Sequence, residues 1–225
     1  GLSYTQFEVE AKAVTTDHAS VTVSVAVTNT GNRAGKEVAQ IYASCPQQGM
    51  AKEYRRLCGF AKTPLLNPGE CREMKITFPA KELASFDQEA SAWTMEKGLY
   101  GIWVGNSSRN LTLAGALSVE ADAVIEPVKH ICPLKQELTE MERPEAEAKA
   151  WEAAWHQQLK ENGLECIPLK PQPVKADRIP ENELDEKARS ITEQLTDDQL
   201  IAMVIGEISK GQENALGSAG IMVPG

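Results

Sequence analysis

The chain has 225 residues, which is enough for one or two domains, and its 42% hydrophobic content is ordinary for a globular protein. Its formal net charge of −9 excludes nucleic acid and anionic membranes as partners, because no surplus of cations exists to neutralise phosphates. No apolar run approaches the ~20 residues that span a bilayer, which excludes a membrane-spanning helix.

The first part of the chain, residues 1–120, carries the two-residue periodicity of β-strands. Alternate valines from Val21 to Val27 are separated by small or polar residues, which predicts a strand with one buried face. The turn Asn29-Thr30-Gly31-Asn32 ends this strand. The following segment, residues 37–43, has apolar residues on both faces and is therefore predicted to be a central strand.

A second alternating run, from Arg72 to Phe78, follows the turn Asn67-Pro68-Gly69-Glu70. The proline and glycine of that turn occupy the central positions of a type II turn. Further strands are predicted at 4–13, 54–60, 86–93, 99–104 and 111–119. About seven strands and no helical pattern predict a mainly β, immunoglobulin-like sandwich over 1–120, followed by a partly helical C-terminal extension.

The next segment, residues 121–188, is predicted to be a linker with one amphipathic helix at about 141–162. Pro144 suits the first turn of this helix and Gly163 suits its end. Four apolar residues fall on one helical face, which predicts that the helix packs against another element: Ala148, Trp151, Trp155 and Leu159. Prolines between 164 and 181 indicate an extended connector.

A final helical pattern lies in residues 189–225. Thr196-Asp197-Asp198-Gln199 has the form of a capping box at a helix start. The residues after it, from Leu200 to Ile208, are apolar on nearly all sides, so this helix requires burial on more than one side. Little chain remains before Gly225 to provide that cover. We therefore expect 189–225 to be the truncated start of a further domain in a longer protein.

The cysteines and histidines do not form a recognisable site. The five cysteines are odd in number and lack a CxxC spacing, and no leader segment is visible, so we predict reduced thiols in a cytoplasmic protein. His18, His130 and His156 are isolated from one another and from any cysteine pair, so no metal site and no cofactor are predicted.

The acidic run and the tryptophans are better explained by roles in folding and packing than by roles in catalysis or binding. The acidic run Glu137, Glu140, Glu142, Glu145 and Glu147 is typical of a solvated helix start. Trp93 and Trp103 are predicted to pack in the core or between domains. Trp151 and Trp155 are one helical turn apart, which favours anchoring of their helix. Stacking of these indoles on sugar rings remains the alternative.

The motifs along residues 1–120 together resemble the fibronectin type III-like domain of glycoside hydrolase family 3. The motifs Val27-Thr28-Asn29-Thr30-Gly31 and Leu66-Asn67-Pro68-Gly69-Glu70 carry part of this resemblance. The rest lies in residues 1–7, 34–42, 57–60, 98–100 and 104–109. Residues 194–200, Gln-Leu-Thr-Asp-Asp-Gln-Leu, resemble the start of the family's (β/α)8-type catalytic domain. The order, sandwich before barrel, is inverted relative to most members and is similar to that of a subset of bacterial ones, so a bacterial source is expected.

The resemblance implies a parent enzyme that hydrolyses terminal β-glucosides or related β-glycosides with retention. Such chemistry requires two carboxylates about 5 Å apart. The resemblance implies that they are an aspartate nucleophile from the barrel and a general acid from a second, α/β domain. Neither motif is present here, so no catalytic residue is predicted in this chain.

The chain is therefore expected to be a non-catalytic part of the enzyme that braces its catalytic barrel and α/β domains. The alternatives are a carbohydrate-binding module with oligosaccharide contacts, or a protein-interaction module.

Overall fold

The computed structural model describes residues 3–128, 143–174 and 183–205. The chain divides into two compact units, Gly1–Ala176 and Asp177–Gly225. Within the described ranges, no helix is both long and apolar enough to cross a membrane.

The first unit contains eleven strands, one short 3-10 helix and one α-helix in its described residues. The 3-10 helix is Ala80–Leu83 and the α-helix, α1, is Glu145–Glu161. The strands are β1 (Phe7–Thr16), β2 (Ser20–Asn29), β3 (Val38–Ser44), β4 (Arg56–Lys62), β5 (Cys71–Pro79), β6 (Ser85–Asp87), β7 (Ala92–Met95), β8 (Gly98–Gly105), β9 (Leu111–Val119), β10 (Ala123–Pro127) and β11 (Cys166–Pro168).

These strands form three sheets. The order is β1-β2-β5 in the first, β11-β9-β8-β3-β4 in the second and β10-β7-β6 in a small third sheet. All neighbours are antiparallel except β11 and β9, which are parallel. The predicted β-sandwich is thereby confirmed, and β3 is central in its sheet as predicted.

The core lies between the first two sheets and follows directly from the alternating sequence. The valines from Val21 to Val27 on β2 are completely buried at every second position, as predicted. They pack with Ile76 and Phe78 of β5 and with inward side chains of β3, β8 and β9. Burial of such branched side chains contributes about 1.5–3 kcal/mol each relative to exposure, which is the main stabilisation of the sandwich.

Buried Asn29 ties together the turns at one end of the sandwich. Its side-chain amide donates to the carbonyl oxygens of Arg33 (2.8 Å) and Leu66 (2.9 Å). Its amide oxygen accepts from the Thr5 hydroxyl at 2.9 Å. The neighbouring predicted type II turn forms as expected: Gly69 has φ +79 and the amide of Glu70 donates to the Asn67 carbonyl at 3.0 Å.

Residues 143–174, called the return segment below, run back over the sandwich. The predicted helix is observed as α1, and Gly163 (φ +57) ends it with the Leu164 amide donating to Leu159 at 3.0 Å. Strand β10 and the return segment complete the first unit. This unit therefore extends beyond the boundary predicted at residue 120, because β10 pairs with β7 and β11 pairs with β9.

The second unit contains α2 (Glu183–Thr192) and α3 (Asp197–Ile205) in its described residues. The predicted capping box is confirmed: the Thr196 amide donates to the Gln199 side chain at 2.9 Å, and the Gln199 amide donates to the Thr196 hydroxyl at 3.3 Å. This unit begins before the predicted residue 189 because α2 belongs to it. Residues 206–225, including Ile208, lie outside the described residues.

Candidate functional site

The polar residues weighed in the sequence do not converge. In the ranges that the structure describes, no three His, Cys, Asp or Glu side chains are grouped so as to hold a metal ion. Of the acidic run, Glu145 pairs with Lys149 and Glu147 accepts from the Tyr54 hydroxyl at 2.6 Å, so both stabilise α1. Its other members, Glu137, Glu140 and Glu142, lie outside the described residues, as do His130 and Cys132.

The four described cysteines, Cys45, Cys58, Cys71 and Cys166, are free thiols. Burial raises the pKa of Cys45 to about 11 and that of Cys58 to about 12, because an apolar surrounding disfavours the thiolate. Both thiols are therefore protonated and poorly nucleophilic near neutral pH.

One candidate site is the outer face of the five-stranded sheet, which α1 covers. Trp155 of α1 is 2% exposed and packs with Trp103, Leu113 and Ala116 of the sheet. The Trp103 indole donates to the Ser44 hydroxyl at 2.7 Å. The predicted packing of Trp103 and the predicted anchoring of α1 are thus observed.

A glycine makes this close packing possible. A Cβ atom placed on Gly101 would lie 3.1 Å from the six-membered ring of Trp155. A side chain at position 101 would therefore push the indole away from the sheet.

Aromatic rings and guanidinium groups form one rim of the covered face. Arg55 stacks on Trp103 at 4.0 Å, and Arg143 stacks on Tyr54 at 3.8 Å from the ring centroid. Tyr54 in turn contacts the edge of Trp151, with the ring centroids 4.9 Å apart. Desolvation lowers the pKa of Arg55, and the hydrogen bond to Glu147 raises that of Tyr54.

A buried carboxylate fixes α1 to the loop after β3. Glu152 is 7% exposed, and its carboxylate accepts from the backbone amide of Gln47 at 3.3 Å. The Gln47 side chain also accepts from Arg143. Trp151 is half-buried and packs against the cluster of Trp103 and Trp155, as the helical pattern predicted, whereas the burial of Glu152 was not predicted. The reason is that polar loop atoms, which sequence periodicity cannot locate, face α1 there.

Backbone hydrogen bonds hold the remainder of the return segment. The Ala116 amide donates to the backbone carbonyl of Glu165 at 3.0 Å, and the Leu169 amide donates to the backbone carbonyl of Ser118 at 2.8 Å. Near the end of the segment, the Val174 amide donates to Ile125 of β10 at 2.7 Å. The connector predicted for 164–181 is therefore, through residue 174, part of the sandwich.

A second candidate site is a groove at one end of the sandwich, called the end groove below. It consists of three neighbouring hollows of about 500, 270 and 270 Å³. Lys81 lines all three, and Glu82 and Trp93 line two. The largest hollow also contains Leu57 and Phe86, and the hollow farthest from them is lined by the return segment at 171–174.

Two exposed aromatic rings stand in the end groove. Trp93 is 43% exposed and Phe86 is 39% exposed, and their rings meet edge to face at 5.7 Å. Of the two predicted places for Trp93, the core of the sandwich is wrong, because β7 belongs to the small third sheet and Trp93 is on its open side. Packing between domains stays a prediction.

An ion pair supports the loop beside the groove. The Lys52 ammonium is buried, and it pairs with Glu96 and donates to the carbonyl oxygens of Pro46 (2.9 Å) and Met50 (3.2 Å). Loss of either charged partner would leave the other partly buried charge uncompensated.

Residues 37–108 match the family model described as "Fibronectin type III-like domain". A β-glucosidase from Ruminococcus albus is 37% identical over 134 residues, which is 57% of this chain and 14% of that protein. β-Glucosidase A from Butyrivibrio fibrisolvens is 28% identical over 228 residues, which covers 88% of this chain and 28% of that protein. The chain thus spans less than a third of the length of these relatives.

Among solved structures, too, the chain is similar to β-glucosidases. A β-glucosidase from Paenibacillus barengoltzii superimposes with a TM-score of 0.55 at 35% identity, covering 58% of this chain and 16% of that one. Relatives occur in fungi such as Emericella nidulans as well as in bacteria, so a bacterial source stays a prediction.

Proposed function

We propose that this chain, which carries the fibronectin type III-like domain that it shares with β-glucosidases of glycoside hydrolase family 3, is a non-catalytic part of such an enzyme. In this proposal the sandwich braces a catalytic barrel and an α/β domain of the same parent chain. The parent hydrolyses terminal β-glucosides or related β-glycosides with retention, using carboxylates supplied by those two domains.

The observation that carries the bracing role is the course of the return segment. A flexible linker would leave the sandwich and remain solvated. Here, instead, Trp155 is buried on the sheet, β11 extends that sheet and Val174 bonds to β10. The sandwich therefore holds the chain firmly on its own surface up to residue 174, and a firmly held attachment is what a brace requires.

The alignment with the Butyrivibrio protein supports the proposed domain order. It covers 88% of this chain, which is more than the sandwich and the return segment together contain. The shared region therefore includes part of the second unit. A β-glucosidase thus shares sequence beyond the sandwich, as the proposed start of a barrel at 189–225 requires.

The free thiols support a reducing compartment for the parent. We propose a cytoplasmic location because the four described cysteines are unpaired, although only Cys45 among them is fully buried in the sandwich. Fractionation of cells that express the untagged parent would test this, and recovery of its activity outside the cell would contradict it.

The test of function uses both the 225-residue chain and the parent protein encoded by the surrounding gene. We expect the parent, but not the isolated chain, to hydrolyse an aryl β-glucoside and to release β-glucose first, as observed by NMR. Hydrolysis by the isolated chain would contradict a non-catalytic role. A parent without glycosidase activity would contradict the family assignment of function.

The bracing role has its own test in the parent. Trp155→Ala should lower the temperature at which activity is lost, and Phe60→Ala serves as the control because Phe60 is 67% exposed on β4. If both variants lose activity at the wild-type temperature, the return segment does not brace the catalytic domains.

A further inference from the structure

We propose that the end groove binds a short, uncharged β-linked glucan, with a pyranose ring stacked on the indole of Trp93. The geometry of the groove is the evidence that a binding site exists there. The choice of β-linked glucose rests on the function proposed above.

The two aromatic rings form a prearranged platform. Strand β7, which carries Trp93, is paired on one side with β6 and on the other with β10, and Phe86 supports the indole from β6. The platform therefore requires little ordering when a ligand binds. Exposed aromatic side chains that cluster in a concave surface are typical of binding sites, whereas isolated exposed residues are not.

The shape of the end groove suits a chain-like ligand. Trp93 lines both the 500 Å³ hollow and one of the 270 Å³ hollows. A ring stacked on the indole thus borders two hollows, each with space for a further ring. The third hollow shares Lys81 and Ile125 with its neighbour and continues the groove.

The polar groups of the groove suit hydroxyl groups rather than ions or an apolar protein surface. Lys81 and Glu82 are exposed, and Glu126 is partly exposed, so the groove presents charges of both signs. Carboxylates accept hydrogen bonds from sugar hydroxyls, and an ammonium group donates to them. An apolar partner would desolvate these charges without pairing them, which is unfavourable. The C–H faces of a pyranose, in contrast, complement the negative face of an indole.

The experiment is a calorimetric and ligand-observed NMR titration of the 225-residue chain with cellotetraose. We expect saturable binding with a dissociation constant on the order of 1 mM, typical of a small exposed site. Trp93→Ala should weaken binding by about tenfold or more, the loss expected from a stacking contact. Phe60→Ala is the matched control, because Phe60 is 67% exposed on β4 and lines none of these hollows. It should change the affinity by less than about twofold.

Several results would overturn the proposal. One is the absence of saturation at about 10 mM cellotetraose. Another is equal affinity in Trp93→Ala and wild type. Concentration-dependent self-association that Trp93→Ala abolishes, without sugar binding, would identify a protein-docking surface instead. Equal affinity for α-linked maltotetraose would overturn the assignment to β-linked glucan. None of these readouts involves hydrolysis, so failure here is distinguishable from failure of the proposed function.

Discussion

The covered sheet face and the end groove use tryptophan in opposite ways. On the covered face, Trp103 is 3% exposed and its indole donates to Ser44. In the groove, Trp93 is 43% exposed and has Phe86 as its aromatic neighbour. The two residues lie on consecutive strands, Trp93 on β7 and Trp103 on β8.

The difference arises from a distant part of the chain. Helix α1, more than 40 residues after Trp103, supplies Trp155 and Leu159 as cover for the sheet. In the described residues, no comparable element covers Trp93. The comparison teaches that the burial of an aromatic strand residue depends on its long-range partner as much as on its own pattern.

The largest expected effect comes from removing the cover. Trp155→Ala should lower the free energy of unfolding by about 3–5 kcal/mol, because a large buried side chain is lost and the rigid sheet cannot close the cavity. Chemical denaturation of the 225-residue chain measures this change. The matched control Trp93→Ala should cost less than about 1 kcal/mol. Equal losses in the two variants would remove the distinction between the covered face and the groove.

The second prediction concerns the narrow space between α1 and the sheet, which a larger side chain at Gly101 would fill. Gly101→Ala should cost about 1–3 kcal/mol, because its Cβ would lie 3.1 Å from the Trp155 ring and force repacking. The same change made together with Trp155→Ala should cost much less, since the obstructing ring is then absent. If the double variant instead lost the sum of the two single losses in unfolding free energy, the glycine at position 101 would be required for a reason other than contact with Trp155.

The third prediction compares the interactions that stabilise two helices, α1 and α3. Helix α1 has no side-chain cap and relies on packing, whereas α3 has the Thr196–Gln199 capping box and leaves Ile201 54% exposed. Thr196→Ala should therefore destabilise α3 by about 1 kcal/mol. Amide hydrogen exchange in α3 measures the effect. Thr192→Ala, which removes the same atoms from a threonine whose hydroxyl donates to the Ala188 carbonyl within α2, is the control and should leave α3 exchange unchanged.

The sandwich was largely predictable from its sequence. The valines of β2, the type II turn at Gly69, the capping box at Thr196 and the helix end at Gly163 are local signals, and each is observed. Strand alternation and turn chemistry act over a few residues, so one sequence is enough to identify them.

The sites were less predictable because they depend on tertiary packing. Buried Glu152 was missed, since its partner is the backbone of Gln47, which periodicity does not reveal. The end groove was also missed as a site. One signal was available: Phe86 and Trp93 are large aromatics in short segments that are otherwise small or polar, such as Ser85–Asp87. A buried strand of that length would have a more continuous apolar pattern.

The smallest expected effect is a pH dependence of the covered face. Desolvation lowers the pKa of His156, which contacts Trp155, below its usual value, opposed by Glu152 and assisted by Lys160. Because the folded state favours the neutral imidazole, this contribution to stability is complete above about pH 6.5 and is lost as the pH falls through the lowered value.

His156→Gln should therefore flatten the fall in unfolding free energy between about pH 7 and pH 5, a range above the usual titration of carboxylates. Denaturation of both proteins across this range measures the difference, and comparison at pH 8 gives the effect of the substitution itself. An unchanged slope would indicate that proton binding to His156 is the same in the folded and unfolded chains. The stability of the covered face would then not depend on pH in this range. Packing alone would distinguish the covered face from the end groove, because no titrating group would be desolvated there.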